Sequence, residues 1–113
     1  MEPIRAATAE HYVWGEVCDG WHLVRSAELS VIEERMPPGA SEQRHKHEFA
    51  RQFFYVLAGE LTMEADGMVH VLATGVGLEI APGIAHQAMN RSGEDVRFLV
   101  VSQPRSHGDR TAV

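Results

Sequence analysis

The sequence predicts an all-β fold, an antiparallel sandwich or barrel of about eight short strands. Short runs that alternate polar and apolar residues recur along the chain, and Gly and Pro interrupt them. No long stretch with a period of 3.6 residues indicates a helix. The segment from Glu60 to Asp66 alternates most regularly, with Leu61, Met63 and Ala65 on one face.

Turn residues divide the chain into these runs. Pro37-Pro38-Gly39 ends the second predicted strand, and Asp66-Gly67 predicts a hairpin with a type I′ turn, since both central positions need positive φ. The predicted strands, in order, are Trp21–Arg25, Leu29–Met36, Gln52–Leu57, Glu60–Asp66, Met68–Ala73, Leu78–Ala81, His86–Asn90 and Val96–Gln103.

Alternation also predicts which side chains point inwards. In the strand that begins at Gln52, Phe54 and Val56 share the face of Gln52, whereas Phe53, Tyr55 and Leu57 take the opposite face. The run Val96–Gln103 is nearly continuous in apolar residues, which predicts burial on both faces. The polar residues 104–113 predict a flexible tail.

Composition limits the class of protein. A chain of 113 residues predicts one domain spanning residues 1–113, because two cores of half this size would each be marginal. The net charge of −6 and the lack of a basic cluster argue against a nucleic-acid or anionic-membrane partner. The single cysteine, Cys18, and the absence of a signal-peptide pattern predict a cytoplasmic protein.

Three of the seven histidines stand at informative positions. His45 and His47 are two residues apart, so on a strand both imidazoles leave the same face and can converge on one cation. Alone, this pair is also compatible with a solvated strand, and His86 alone with a hydrogen-bonded structural histidine. The remaining histidines have no partner at ligand spacing and are interpreted as surface or hydrogen-bonded residues.

The spacing around the first pair resembles a known family. Gly39 is followed by five residues, His45-x-His47, four residues, Gln52, six residues and Gly59. This segment, residues 39–59, is similar to the first cupin motif, G-x5-H-x-H-x3–4-E-x6-G. Gln52 stands where that motif has its glutamate.

The second motif follows at residues 75–90. Gly75, five residues, then Ala81-x-Gly83-x2-His86-x3-Asn90 resembles the cupin pattern G-x5-P-x-G-x2-H-x3-N. Ala81 replaces the proline of that pattern, although Pro82 is adjacent. Because many fixed spacings match together, the chain is identified as similar to small single-domain cupins.

The resemblance implies a double-stranded β-helix, or jelly-roll barrel, and a small-molecule pocket within it. It implies a divalent transition metal (Zn, Fe, Ni, Mn or Cu) held by His45, His47, Gln52 and His86. The pocket would be lined by side chains on the same strand faces, Phe54, Val56 and Ala88, for which plain barrel core is an equally good interpretation. It also implies a homodimer, as in many small cupins.

A glutamine at position 52 would change the net charge of the metal and its ligands. A neutral amide oxygen leaves the full +2 charge on the ion, which should weaken its retention and raise its Lewis acidity. Three alternatives stay open: a metal site with Gln52 as a weak fourth ligand, a metal-free ligand pocket, and a purely structural barrel.

The reaction stays open as well. The resemblance implies a dioxygenase-like enzyme or a Lewis-acid isomerase or lyase, or else a non-catalytic module that binds a small molecule or sugar. Glu48 and Glu79 are the only candidates for a general base, and nothing in the sequence supports either.

Overall fold

The structure is a computed structural model that describes residues 1–113. It contains one short 3₁₀ helix, Ala6–Thr8, and eleven strands. The strands are β1 (Glu10–Trp14), β2 (Cys18–Arg25), β3 (Ser30–Met36), β4 (His45–Lys46), β5 (Arg51–Ala58), β6 (Leu61–Ala65), β7 (Met68–Leu72), β8 (Gly77–Ile80), β9 (His86–Met89), β10 (Val96–Gln103) and β11 (Thr111–Ala112).

Two antiparallel sheets face each other. One has six strands in the order β1-β2-β3-β10-β5-β8, and the other has five in the order β11-β4-β9-β6-β7. The all-β prediction is therefore confirmed. No helix is long and apolar enough to cross a membrane.

Positive φ angles explain the residues found in two of the turns. Asp66 and Gly67 have φ of 52° and 82°, so the predicted type I′ hairpin joins β6 to β7. Gly59, with φ of 86°, follows β5 where a Cβ would lie only 2.5 Å from the carbonyl oxygen of Asp95. A side chain at position 59 would therefore force β5 away from the segment that enters β10.

The core lies between the two sheets and follows the predicted alternation. Gln52, Phe54 and Val56 of β5 are buried, while the residues between them are exposed. Val56, Leu61, Met63 and Phe98 are fully buried in this core. In β10 the inward residues are buried but the outward residues are only half-buried, so the expectation of burial on both faces is wrong for the outer face.

Three strands were not anticipated: β1, β4 and β11. β4 and β11 have two residues each, and the register pairs them with each other through Thr111–Lys46 and Ala112–His45. Two residues of the predicted flexible tail, 104–113, are thus part of the sheet, and the mobility of this segment stays a prediction. A polar ten-residue sequence does not reveal this pairing with β4.

Candidate metal centre

The three histidines meet on the inner side of the five-stranded sheet. β4 and β9 are adjacent and place His45 directly opposite His86, and His47 follows just after β4. The imidazole centroids are 4.5 Å apart for His45 and His86, and 4.8 Å apart for His45 and His47. All three side chains are buried, and one potential ligand atom from each lies within 4.8 Å of the others. The group could therefore hold a metal ion.

Backbone carbonyls orient each imidazole. Nδ1 of His45 lies 2.8 Å from the carbonyl oxygen of Gln43, and Nδ1 of His86 lies 2.9 Å from that of Ile84. Nδ1 of His47 contacts the carbonyl oxygen of Asp109. Because a neutral imidazole carries one N–H, these contacts place the proton on Nδ1 and leave the Nε2 lone pairs free for a ligand.

Electrostatics favour the same neutral form. Burial above all, with repulsion from Arg110 and the other two histidines, lowers the pKa of His45 to about 4, although the hydrogen bond to Gln43 opposes the shift. Burial also lowers the pKa of His86. Nε2 of His47 is buried without any hydrogen-bond partner in the protein. A metal ion would satisfy this orphaned lone pair, so the donor set fits a divalent cation.

Gln52 reaches this cluster from the opposite sheet. It lies across from Ser102 in the β5–β10 ladder, and its amide nitrogen donates to the Ser102 hydroxyl at 3.0 Å. The amide oxygen then points to Nε2 of His86 at 3.1 Å. Both ring nitrogens of His86 thus face carbonyl oxygens, and a neutral imidazole can donate to only one of them. Two adjacent ligands about 2.1 Å from one ion are roughly 3 Å apart, so this spacing also suits a shared cation.

His45, His47 and Gln52 form part of the wall of a cavity of about 490 Å³ between the sheets, whereas His86 is fully buried and does not line it. Phe54 lines this cavity, whereas Val56 and Ala88 are buried in the core and are not among its lining residues. The two candidates for a general base that the sequence offered, Glu48 and Glu79, are exposed, and Glu79 pairs with Arg51. Neither carboxylate reaches the cavity.

Two acids that the sequence did not single out do line the cavity. Burial, with repulsion from Glu42, raises the pKa of Glu34 to about 8, and the Tyr12 hydroxyl lies 3.3 Å from its Oε2. Burial raises the pKa of Glu42 to about 7, although the backbone N–H of Ala88 donates to it at 2.8 Å. Glu34 is on the inner face of β3, and alternation along that strand was the only available signal.

Two of the histidines that have no partner at ligand spacing also line the cavity, His22 and His107. His107 is exposed, as the sequence predicts, but Nδ1 of His22 is buried without a hydrogen-bond partner, which the sequence did not indicate. His11, by contrast, lies outside this cavity and pairs with Asp19 at 2.7 Å. Cys18 is buried in the core, as expected of a small apolar residue, and burial raises the pKa of its thiol.

A family model described as "Cupin domain" matches residues 32–102, well over half of the chain. The chain belongs to the cupin family. Its two facing antiparallel sheets form the double-stranded β-helix of that family. An RmlC-like cupin from Shewanella frigidimarina superimposes with a TM-score of 0.83 over 93% of this chain and 92% of that chain, at 22% identity.

Curated relatives match a shorter part of this cupin. Protein SchB of Streptomyces halstedii is 32% identical over 55% of the chain and 45% of the relative. The oxalate-binding protein of Thermotoga maritima is 31% identical over 59% of the chain and 55% of the relative. The chain thus spans about half the length of the curated relatives it matches.

Proposed function

We propose that this cupin binds a divalent transition metal and catalyses proton transfer on a small organic molecule, as an isomerase or lyase. Nε2 of His45, His47 and His86 and Oε1 of Gln52 would be the ligands. The observation that carries the proposal is the orphaned Nε2 of His47, together with the Gln52 amide oxygen that lies 3.1 Å from Nε2 of His86. Zn, Fe, Ni, Mn and Cu all suit such nitrogen ligands.

The ligand set is neutral, which determines what the ion would contribute. A bound divalent cation would keep its full charge, polarise a carbonyl or hydroxyl oxygen of the substrate and stabilise negative charge there. Ser102 holds the Gln52 amide so that its oxygen faces the histidines. The carbonyls of Gln43 and Ile84 keep the His45 and His86 rings in the ligating orientation.

Glu34 supplies the proton-transfer group in this proposal. A carboxyl whose pKa is about 8 exchanges protons readily near neutral pH, as a general acid or base requires. Its ionised form accepts a proton from a substrate carbon, and its neutral form returns one. A cavity carboxyl group that both accepts and returns a proton favours isomerase or lyase chemistry over the dioxygenase-like alternative.

Hydrogen–deuterium exchange tests this function without a known product. The Zn²⁺-loaded protein, incubated in D₂O with a panel of small 2-keto acids, 2-hydroxy acids and ketones, should exchange a carbon-bound proton, followed by ¹H NMR. Glu34→Gln should slow exchange about 100-fold or more, because it removes the proton acceptor. The wild-type rate should increase as pH rises towards about 8, because a carboxyl with a raised pKa ionises only there.

Glu33→Gln is the matched control, since Glu33 is the next residue along β3 and pairs with Arg97 at 2.6 Å. It should exchange at the wild-type rate. No exchange with any compound, after loading with Zn²⁺, Mn²⁺, Fe²⁺ or Ni²⁺ in turn, would contradict the enzymatic proposal. Equal exchange rates for Glu34→Gln and the wild type would show that Glu34 is not the proton-transfer group.

Gln52→Glu tests the fourth ligand. A carboxylate in place of the amide should tighten Zn²⁺ binding roughly 10-fold or more, because its charge is attracted to the ion. The Ser102 hydroxyl accepts from the Gln52 amide and could donate to a carboxylate, so the position tolerates both side chains. Isothermal titration with Zn²⁺ measures the change, and Gln103→Glu, at the exposed end of β10, controls for added negative charge. An unchanged affinity would show that Gln52 does not ligate.

A non-catalytic binding module is the second candidate. One curated relative is named an oxalate-binding protein, and the present cavity could hold a small acid with or without turnover. Stoichiometric binding of an acid without exchange of its carbon-bound protons would favour this function. The predicted homodimer stays a prediction.

A further inference from the structure

The last segment of the chain brings positive charge into the cavity. Arg105 and Arg110 both line it, and neither forms an ion pair with a carboxylate of the protein. The third cavity arginine, Arg25, is different, because it pairs with Glu10 at 2.7 Å. Two of the three guanidinium groups are thus available to something other than the protein.

Arg110 is the better placed of the two. It follows Asp109, whose carbonyl oxygen contacts Nδ1 of His47, and it precedes β11, which pairs with the β4 strand that carries His45. Its guanidinium makes one long hydrogen bond, from Nη2 to the carbonyl oxygen of Gln43 at 3.4 Å, which leaves most of its five N–H donors unused.

Two carboxyl groups, those of Glu34 and Glu42, line the same cavity as Arg110. Arg110 forms an ion pair with neither of them. Its charge is therefore available to an anionic ligand inside the cavity.

We propose that Arg110 is a specificity-determining residue that binds the carboxylate of the substrate, so that the ligand is a small organic acid held between Arg110 and the histidine cluster. This inference rests on the proposed metal function, because the second end of the acid would be held at the cluster. Guanidinium groups form paired, charge-assisted hydrogen bonds with carboxylates, which a neutral ligand cannot match. A cavity of about 490 Å³ accommodates an acid of a few carbons beside the cluster.

The test uses malonate, succinate and glutarate as probes, with their diamides as neutral controls of the same length. Isothermal titration of the Zn²⁺-loaded protein should show binding of at least one dicarboxylate and none of its diamide. Arg110→Gln should weaken that binding about 10-fold to 100-fold, the usual effect of losing hydrogen bonds to a charged group. Arg110→Lys should recover part of the loss, because it restores the charge without the paired geometry.

Arg91→Ala is the control for charge, since Arg91 is exposed on the loop after β9, carries no ion pair and does not line this cavity. It should bind the probe as the wild type does. Zn²⁺ titrated alone should bind Arg110→Gln at least as tightly as the wild type, because the variant removes a positive charge near the histidines. Such binding shows that the variant is folded and tests the metal site separately.

Three results would overturn the inference: wild-type affinity in Arg110→Gln, equal binding of the diamide, or no binding of any dicarboxylate. Failure of every form to bind Zn²⁺, Mn²⁺ or Ni²⁺ would instead defeat the proposed metal function. In that event the same titrations on the metal-free protein decide whether Arg110 binds acids.

Discussion

Replacing His86 by alanine is expected to lower the affinity of this cupin for Zn²⁺ by roughly 100-fold or more. Loss of a group that only orients a ligand typically costs 10-fold to 100-fold, so loss of a ligand itself should cost at least as much. The imidazole is fully buried, and its Nε2 faces the Gln52 amide oxygen. Its removal would leave two nitrogens and one neutral oxygen to hold the ion.

Competition with a chromophoric chelator measures this affinity, and circular dichroism confirms that the variant folds. His70→Ala is the matched control, because His70 lies on β7, opposite Met63 and away from the cluster. It should bind Zn²⁺ as the wild type does. Similar affinities for His86→Ala and the wild type would show that the cluster does not bind metal through His86.

Replacing Asp109 by alanine is expected to reduce the free energy of unfolding by about 1.5–3 kcal/mol, the usual contribution of hydrogen bonds to a charged group. The Asp109 carboxylate accepts the backbone N–H groups of Glu48, Phe49 and Ala50 at 2.8–3.0 Å. Burial alone would raise the pKa of Asp109, but these three bonds outweigh it and the pKa is lowered. Its stabilising contribution is therefore present at neutral pH and is lost as pH falls through the lowered pKa.

Urea unfolding at pH 7 measures the change. Glu79→Ala is the control, because its exposed pair with Arg51 should contribute less than about 1 kcal/mol. Zn²⁺ affinity should also fall in Asp109→Ala, since the segment that contacts Nδ1 of His47 is no longer fixed to the turn after β4. If the free energy of unfolding of Asp109→Ala lay within about 0.5 kcal/mol of the wild-type value, the hydrogen bonds to Asp109 would not stabilise the fold as proposed.

Much of the fold could be predicted because its signals are local. Alternation along β5 correctly placed Gln52, Phe54 and Val56 inside, and Asp66-Gly67 correctly placed a hairpin. β11 could not be predicted, since Thr111 and Ala112 become a strand only by pairing with residues about sixty-five positions earlier. Alternation could not separate cavity from core: Phe54 lines the cavity, whereas Val56 and Ala88 contact only the core, and the predicted role of these residues in ligand binding stays a prediction.

For the candidate site, the sequence by itself indicated a cupin-type centre through the spacing of His45, His47, Gln52 and His86, whose role as ligands stays a prediction. Only the tertiary structure decided the charges around it. Glu34 comes from β3 and Arg110 from the segment before β11, and both reach the cavity through long-range antiparallel pairing. Residues that meet through such pairing are far apart in the sequence, because the strand register brings them together. No short motif in the sequence therefore reveals them.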